Sequence, residues 1–169
     1  MASINGLKLK AYKKVGVGEE GEIYSGSLYI GSKRLGTTTD DQWGGPAHYS
    51  FDQRILDKYV EAYNRFRPCP WGGEWTTDTL VGGLDELNRL EQRYKKLSYI
   101  GPRTLVYFTD GLNAASCIFK NTKTTTEESI KKSDSFKKCL KEFKDSIPDK
   151  IGEIQIFFFM NESDFDINI

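Results

Sequence analysis

Residues 103 to 119, Arg-Thr-Leu-Val-Tyr-Phe-Thr-Asp-Gly-Leu-Asn-Ala-Ala-Ser-Cys-Ile-Phe, decide the fold class. Two runs of β-branched, aromatic and aliphatic residues, 103 to 109 and 112 to 119, flank Asp110-Gly111, the strongest short-range hairpin signal in the chain. Such a hairpin needs further strands or a helix to cover its apolar residues. The sequence supplies both. Downstream, Phe136, Cys139, Leu140, Phe143 and Ile147 keep helical spacing up to Pro148. The run from Ile154 to Met160, broken only by Gln155, reads as a buried strand.

Upstream, Leu84, Leu87, Leu90, Tyr94 and Leu97 extend a helical stripe over 78 to 97, with Gly82 and Gly83 near its start. Each glycine there would cost about 1 kcal/mol relative to alanine, or else delay the helix. A second helix, 51 to 66, carries Ile55, Leu56, Tyr59, Val60, Tyr63 and Phe66 on one stripe, and Ser50 with Gln53 has the spacing of a capping box. Thr125 and Glu128 repeat that spacing before a helix over 127 to 146.

The N-terminal region, 7 to 37, reads as a β meander. Leu7, Leu9 and Ala11 alternate with Lys8, Lys10 and Lys13, and because lysines guard exposed edges, this strand is placed at or near an edge of the sheet. Gly31-Ser32 fits the centre of a II′ turn. The expectation is a single α+β domain over 1 to 169. It has the order βββααββαβ, about six mainly antiparallel strands and three helices, with 38 to 50 as a loop, a last strand at 153 to 160 and an acidic tail at 161 to 169.

Composition narrows the function classes. The 24 basic and 24 acidic residues cancel, so no global field draws the chain onto polyanions. Three scattered cysteines fit neither a disulfide framework nor paired zinc ligands. No run approaches a membrane span, and no leader pattern opens the sequence, so a cytoplasmic protein without membrane contact is expected. Phosphate-loop, nucleophile-elbow and metal signatures are absent, and no cofactor or metal is expected.

Trp-Gly-Gly occurs twice, at Trp43, Gly44, Gly45 and at Trp71, Gly72, Gly73, with Trp75 just beyond. Indoles beside glycines stack or wedge next to backbone that other groups can approach closely. With His48, Arg65 and Arg67 nearby, these residues form the expected ligand or partner surface, since tryptophan and arginine dominate interface hot spots. The alternative is an enzyme acting on a nucleotide or nucleic acid, with His48 as acid or base beside Asp40 or Asp41. A third reading places nucleic acid on the lysine face of the last helix, or on Tyr24 and Tyr29 as stacking residues of a sheet; interspersed acids and packing under a helix count against each.

Leu28-Tyr29-Ile30-Gly31-Ser32-Lys33-Arg34-Leu35-Gly36, followed by Asp41, Gly44 and Gly45, resembles a hairpin-and-loop pattern in small uncharacterised proteins of phages and other mobile elements. Gln42-Trp43 stands where that pattern has glycine after the aspartate. The resemblance implies a phage-type accessory protein working in the host cytoplasm, of the kind that counters host defence. It would act by binding, either occluding a host protein or sequestering a small ligand such as a nucleotide.

Overall fold

The computed structural model describes residues 1–18, 21–40, 47–69, 72–147 and 153–169. The fold is α+β, and the chain divides into two compact units. The first comprises 1–68, 74–91 and 165–169; the second comprises 69–73 and 92–164.

In the first unit, six strands form one sheet: β1 (Ser3–Ile4), β2 (Leu7–Val17), β3 (Glu22–Ile30), β4 (Lys33–Asp40), β5 (His48–Tyr49) and β9 (Asp166–Ile167), in the order β5-β4-β3-β2-β1-β9. All neighbours are antiparallel except β1 and β9. Ile4 pairs with Leu7 across Asn5-Gly6, both at positive φ (46° and 79°), which is what a two-residue I′ hairpin requires. At the β3–β4 turn, Gly31 has positive φ (57°) and Ser32 does not, as in a II′ turn. β1 meets β2 only at Leu7, so the lysine-bearing length of β2 beyond it pairs, among the described residues, with β3 alone and lies near the edge that the alternation predicts. The acidic tail is tied into the sheet. Phe165 is fully buried and Asp166 pairs with Ser3, so apolar burial and strand pairing hold it.

One face of this sheet is apolar. Leu7, Leu9, Leu28, Gly26 and Thr38 are buried on it. Gly26 is required there, because a Cβ would lie 2.9 Å from the Tyr12 ring and 3.0 Å from Leu9. β2 bulges at this level, between Lys10 and Lys13, with Ala11 at φ 53°. The rest of this core comes from Leu56 just before helix α1 (Asp57–Phe66), from Tyr59, Ala62 and Tyr63 on α1, and from Leu80 and Leu84 in the first half of α2 (Thr77–Ser98). The expected helix over 51 to 66 starts later, because Asp52 caps a 3-10 turn at Gln53–Leu56 and Ser50 instead accepts a hydrogen bond from the Thr37 amide.

In the second unit, β6 (Arg103–Thr109) lies between β7 (Ala114–Lys120) and β8 (Gln155–Phe159), all antiparallel. The single sheet expected from the sequence is therefore two. Thr104 to Thr109 are all buried, so β6 is the central strand. The hairpin loop is longer than Asp110-Gly111: β7 begins at Ala114, since the Asp110 carboxylate accepts from the amides of Leu112 and Asn113 and holds both in the loop. On one face Val106 and Phe108 pack with Ile130, Phe136 and Phe143, the Phe108 ring 5.7 Å from Phe136 and 5.9 Å from Phe143.

The expected helix over 127 to 146 is two, α3 (Glu127–Lys132) and α4 (Asp134–Ser146). Ser133 is extended (ψ 145°); its amide closes α3 on the Ile130 carbonyl and its hydroxyl caps α4 by accepting from Phe136. The capping box falls on Thr126 and Ser129, one residue past the expected start. No helix among the described residues is long and apolar enough to cross a membrane.

Candidate functional site

Trp43, Gly44, Gly45, Asp41 and Trp71 lie outside the described residues. The remaining expected site residues fall in both units. Gly72 and Gly73 are exposed in the second unit, where the Gly72 amide (φ 74°) closes a turn on the Cys69 carbonyl. His48 sits on β5, exposed. Arg65, Arg67 and Trp75 meet at the end of α1 and the approach to α2, in the first unit.

His48 pairs with Thr39 on β4. Strand side chains alternate, so Asp40 projects from the face opposite to His48. Asp40 indeed pairs with Tyr24 and adds its charge to the field that raises the Tyr12 phenol, after burial, the larger cause. The register therefore separates the histidine and Asp40 of the proposed acid–base pair. Among the described residues no three His, Cys, Asp or Glu side chains are grouped as metal ligands.

At the end of α1, Trp75 is held from three sides. Its indole N–H donates to the Arg67 carbonyl at 2.5 Å, its amide donates to Asn64 Oδ1 at 2.9 Å, and its ring lies 6.4 Å from that of Tyr63. Arg67 is buried, against the expectation of a contact residue. It donates to Glu86 Oε2 at 2.7 Å and to the Tyr63 hydroxyl at 3.4 Å, so its charge is spent inside the unit, where an unpaired guanidinium would be costly. Burial is also the main reason that the Tyr63 phenol titrates above its ordinary range. Arg65, two positions earlier and on another side of the helix, is exposed, with Glu61 Oε2 at 3.8 Å.

Next to Trp75 opens a groove of about 670 Å³ between α1 and the first turn of α2. Asp57, Glu61 and Arg65 line it from α1; Glu74, Trp75, Thr76 and Thr77 line it from the other side. Gln53 donates from its amide to the Thr77 hydroxyl and closes one end, and Asp78 accepts from the Tyr49 hydroxyl at 2.8 Å and the Ala47 amide at 3.2 Å just behind. Burial first, and then the Asp78 carboxylate, push the Tyr49 phenol well above its usual range, so it stays a neutral donor. The groove offers three carboxylates, one guanidinium and one indole wall. Of the groove's residues, Arg65 and Trp75 are among those expected from the sequence, whereas Asp57 and Glu61 are not, and their four-residue spacing on one helix face is the available signal.

No family model matches this chain, and neither a curated protein nor a solved structure is significantly similar to it.

Proposed function

We propose that this protein acts by binding, and that the groove beside Trp75 takes a basic segment of a partner protein. The groove's charge balance carries this reading: Asp57, Glu61 and Glu74 face a single cation, Arg65. Lysine or arginine side chains of a partner would find carboxylates for charge-assisted hydrogen bonds and an indole face for cation–π contact. A nucleotide's phosphates would meet three like charges, so a protein partner is favoured over nucleotide sequestration. The fixed indole supports binding over chemistry, because an anchored aromatic loses little entropy on association. With the resemblance around residues 28 to 36, the fitting biological form is a phage-type accessory protein that occludes a host protein.

The test is a titration of tryptophan fluorescence with an arginine-rich peptide and with the same peptide carrying glutamate at the arginine positions. Binding of the first alone, lost in Glu74→Lys, is the expected result. Equal response to both peptides, or an unchanged response in Glu74→Lys, overturns the reading. With a responsive protein, Glu74→Lys is the matched control for capturing the partner from a bacterial host lysate.

A further inference from the structure

The sheet face opposite to the first unit's core is a grid of cations and hydroxyls set by strand register. Lys8 stands beside Tyr29, and Tyr29 beside Arg34; Lys10 pairs with Ser27 and Ser27 with Thr37; Lys13 pairs with Ser25, Ser25 with Thr39 and Thr39 with His48. Alternation places all of them outward, because Leu7, Leu9, Leu28 and Thr38 point into the core between them. Every one is exposed or half-buried.

Charge segregation distinguishes this face from an ordinary wet surface. Along β2 to β5, Glu22 and Asp40 fall at inward positions, so among the described residues no carboxylate occupies an outward one. None of Lys8, Lys10, Lys13 and Arg34 makes an ion pair with a described carboxylate, whereas inward Lys14 bonds Glu22 at 2.6 Å. In a chain whose charges cancel, four cations with no interspersed acid are a local device. The aromatic in the grid is already used as a cation platform, with Lys10 Nζ 4.3 Å from the centre of the Tyr29 ring. Arg34 donates to the Ser27 hydroxyl at 3.2 Å, and Thr39 and Ser25 share a hydroxyl hydrogen bond at 3.1 Å.

We propose that this outward face of β2 to β5 binds single-stranded nucleic acid, with Lys8, Lys10, Lys13 and Arg34 on the phosphates and Tyr29 stacking on a base. Lys8 and Lys10 are two residues, about 6.8 Å, apart along one strand, a row that can follow an extended backbone. Four strands span about 14 Å, wider than the roughly 12 Å major groove, so the face cannot enter a duplex. An unstacked strand can instead lie across it, as on other flat, basic and aromatic sheets. Serine and threonine hydroxyls supply neutral donors to phosphate oxygens. This proposal is independent of the acidic groove beside Trp75.

The experiment is fluorescence anisotropy with a labelled single-stranded oligonucleotide, run at about 50 and 200 mM salt. Neutralising three or four phosphates should weaken binding about 20- to 50-fold between those concentrations. Lys8→Gln with Lys13→Gln should flatten the salt dependence. Tyr29→Ala should cost about tenfold while leaving the salt slope alone, since stacking is not ionic. Glu74→Lys, in the groove, should behave as the unaltered protein. Thermal melts check folding; should the double variant not fold, exposed Lys13→Gln alone must still reduce the slope. No binding at low salt overturns the proposal. So does an affinity unaffected by the lysine variants. Tighter binding to anionic phospholipid vesicles than to the oligonucleotide, with Tyr29→Ala silent in both, would reassign the face to a membrane surface and also overturn it.

Discussion

The ring of Tyr63 in α1 occupies the space that a side chain at Gly83 in α2 would need. A Cβ built on Gly83 collides with the phenol ring, whereas one on neighbouring Gly82 meets nothing within 4 Å. Alanine is the better helix former by about 1 kcal/mol at both positions. The structure therefore predicts opposite signs. Gly82→Ala should stabilise by about 0.5–1 kcal/mol, and Gly83→Ala should destabilise by about 1–3 kcal/mol through overpacking. Urea denaturation of the two single variants checks this.

Asp110 is fully buried at the β6–β7 loop and accepts from the Leu112 and Asn113 amides and from Asn113 Nδ2, at 2.7 to 3.0 Å. Burial alone would raise its pKa, but these donors outweigh it and hold the carboxyl below its ordinary value of 3.8. A depressed folded pKa means stability that is present above about pH 4 and lost as pH falls through the folded value. Asp110→Asn should cost about 1–2 kcal/mol at neutral pH, and the gap to the unaltered protein should narrow toward pH 3. A gap that is constant across that range would show that the carboxylate's charge contributes nothing.

At the alkaline end the sign reverses. Burial, and then a hydrogen bond with Cys139, push the Cys117 thiol up from 9.0 to about 12. The folded protein thus holds this proton more tightly than the unfolded chain, so stability falls as pH rises from about 9 toward 12. At pH 8.5, alkylation of Cys117 should be on the order of a thousandfold slower in the folded protein than in urea, because the thiolate is the reactive species. Peptide mass spectrometry after timed iodoacetamide treatment reads this directly.

Two arginines two residues apart should behave differently. Removing the buried Arg67 takes away a cation 2.7 Å from Glu86, whose carboxylate keeps 32% of its surface in water. Arg67→Ala should therefore cost about 2 kcal/mol, below the range for a fully buried pair. Arg65→Ala, on the groove rim, should stay within about 0.5 kcal/mol of the unaltered protein while changing peptide binding. Parallel melting and peptide titrations separate the two roles.

Much of this architecture is legible in the chain. Period-two and period-3.6 patterns find the β2–β4 meander, α2, the β6–β7 hairpin and β8, because each is long enough for its spacing to repeat. The two-residue strands β1, β5 and β9 carry no period, and their pairing comes from distant partners such as Ser3 with Asp166. Asn5-Gly6 is a hairpin signal left out of the expected meander, because only Ser3 and Ile4 stand before it as a strand. Ser133 looks like any mid-helix serine until its extended backbone is seen. At the candidate site, Trp75 and Arg65 were found by residue type, but burial of Arg67 depends on Glu86 and Tyr63, nineteen and four positions away. The alternating lysines of β2 are legible in the chain, but their placement beside Tyr29 and Arg34 depends on strand register, which is not written locally.

Phe165 and β9 belong to the first unit although residues 92–164 intervene. During synthesis, then, the ribosome must deliver the chain as far as residue 167 before β1 can meet its parallel neighbour. The second unit, contiguous from 92 to 164 apart from a five-residue piece, has no such wait. The chain truncated after residue 164 and released should protect the Phe108 cluster from protease while β1 remains cleavable.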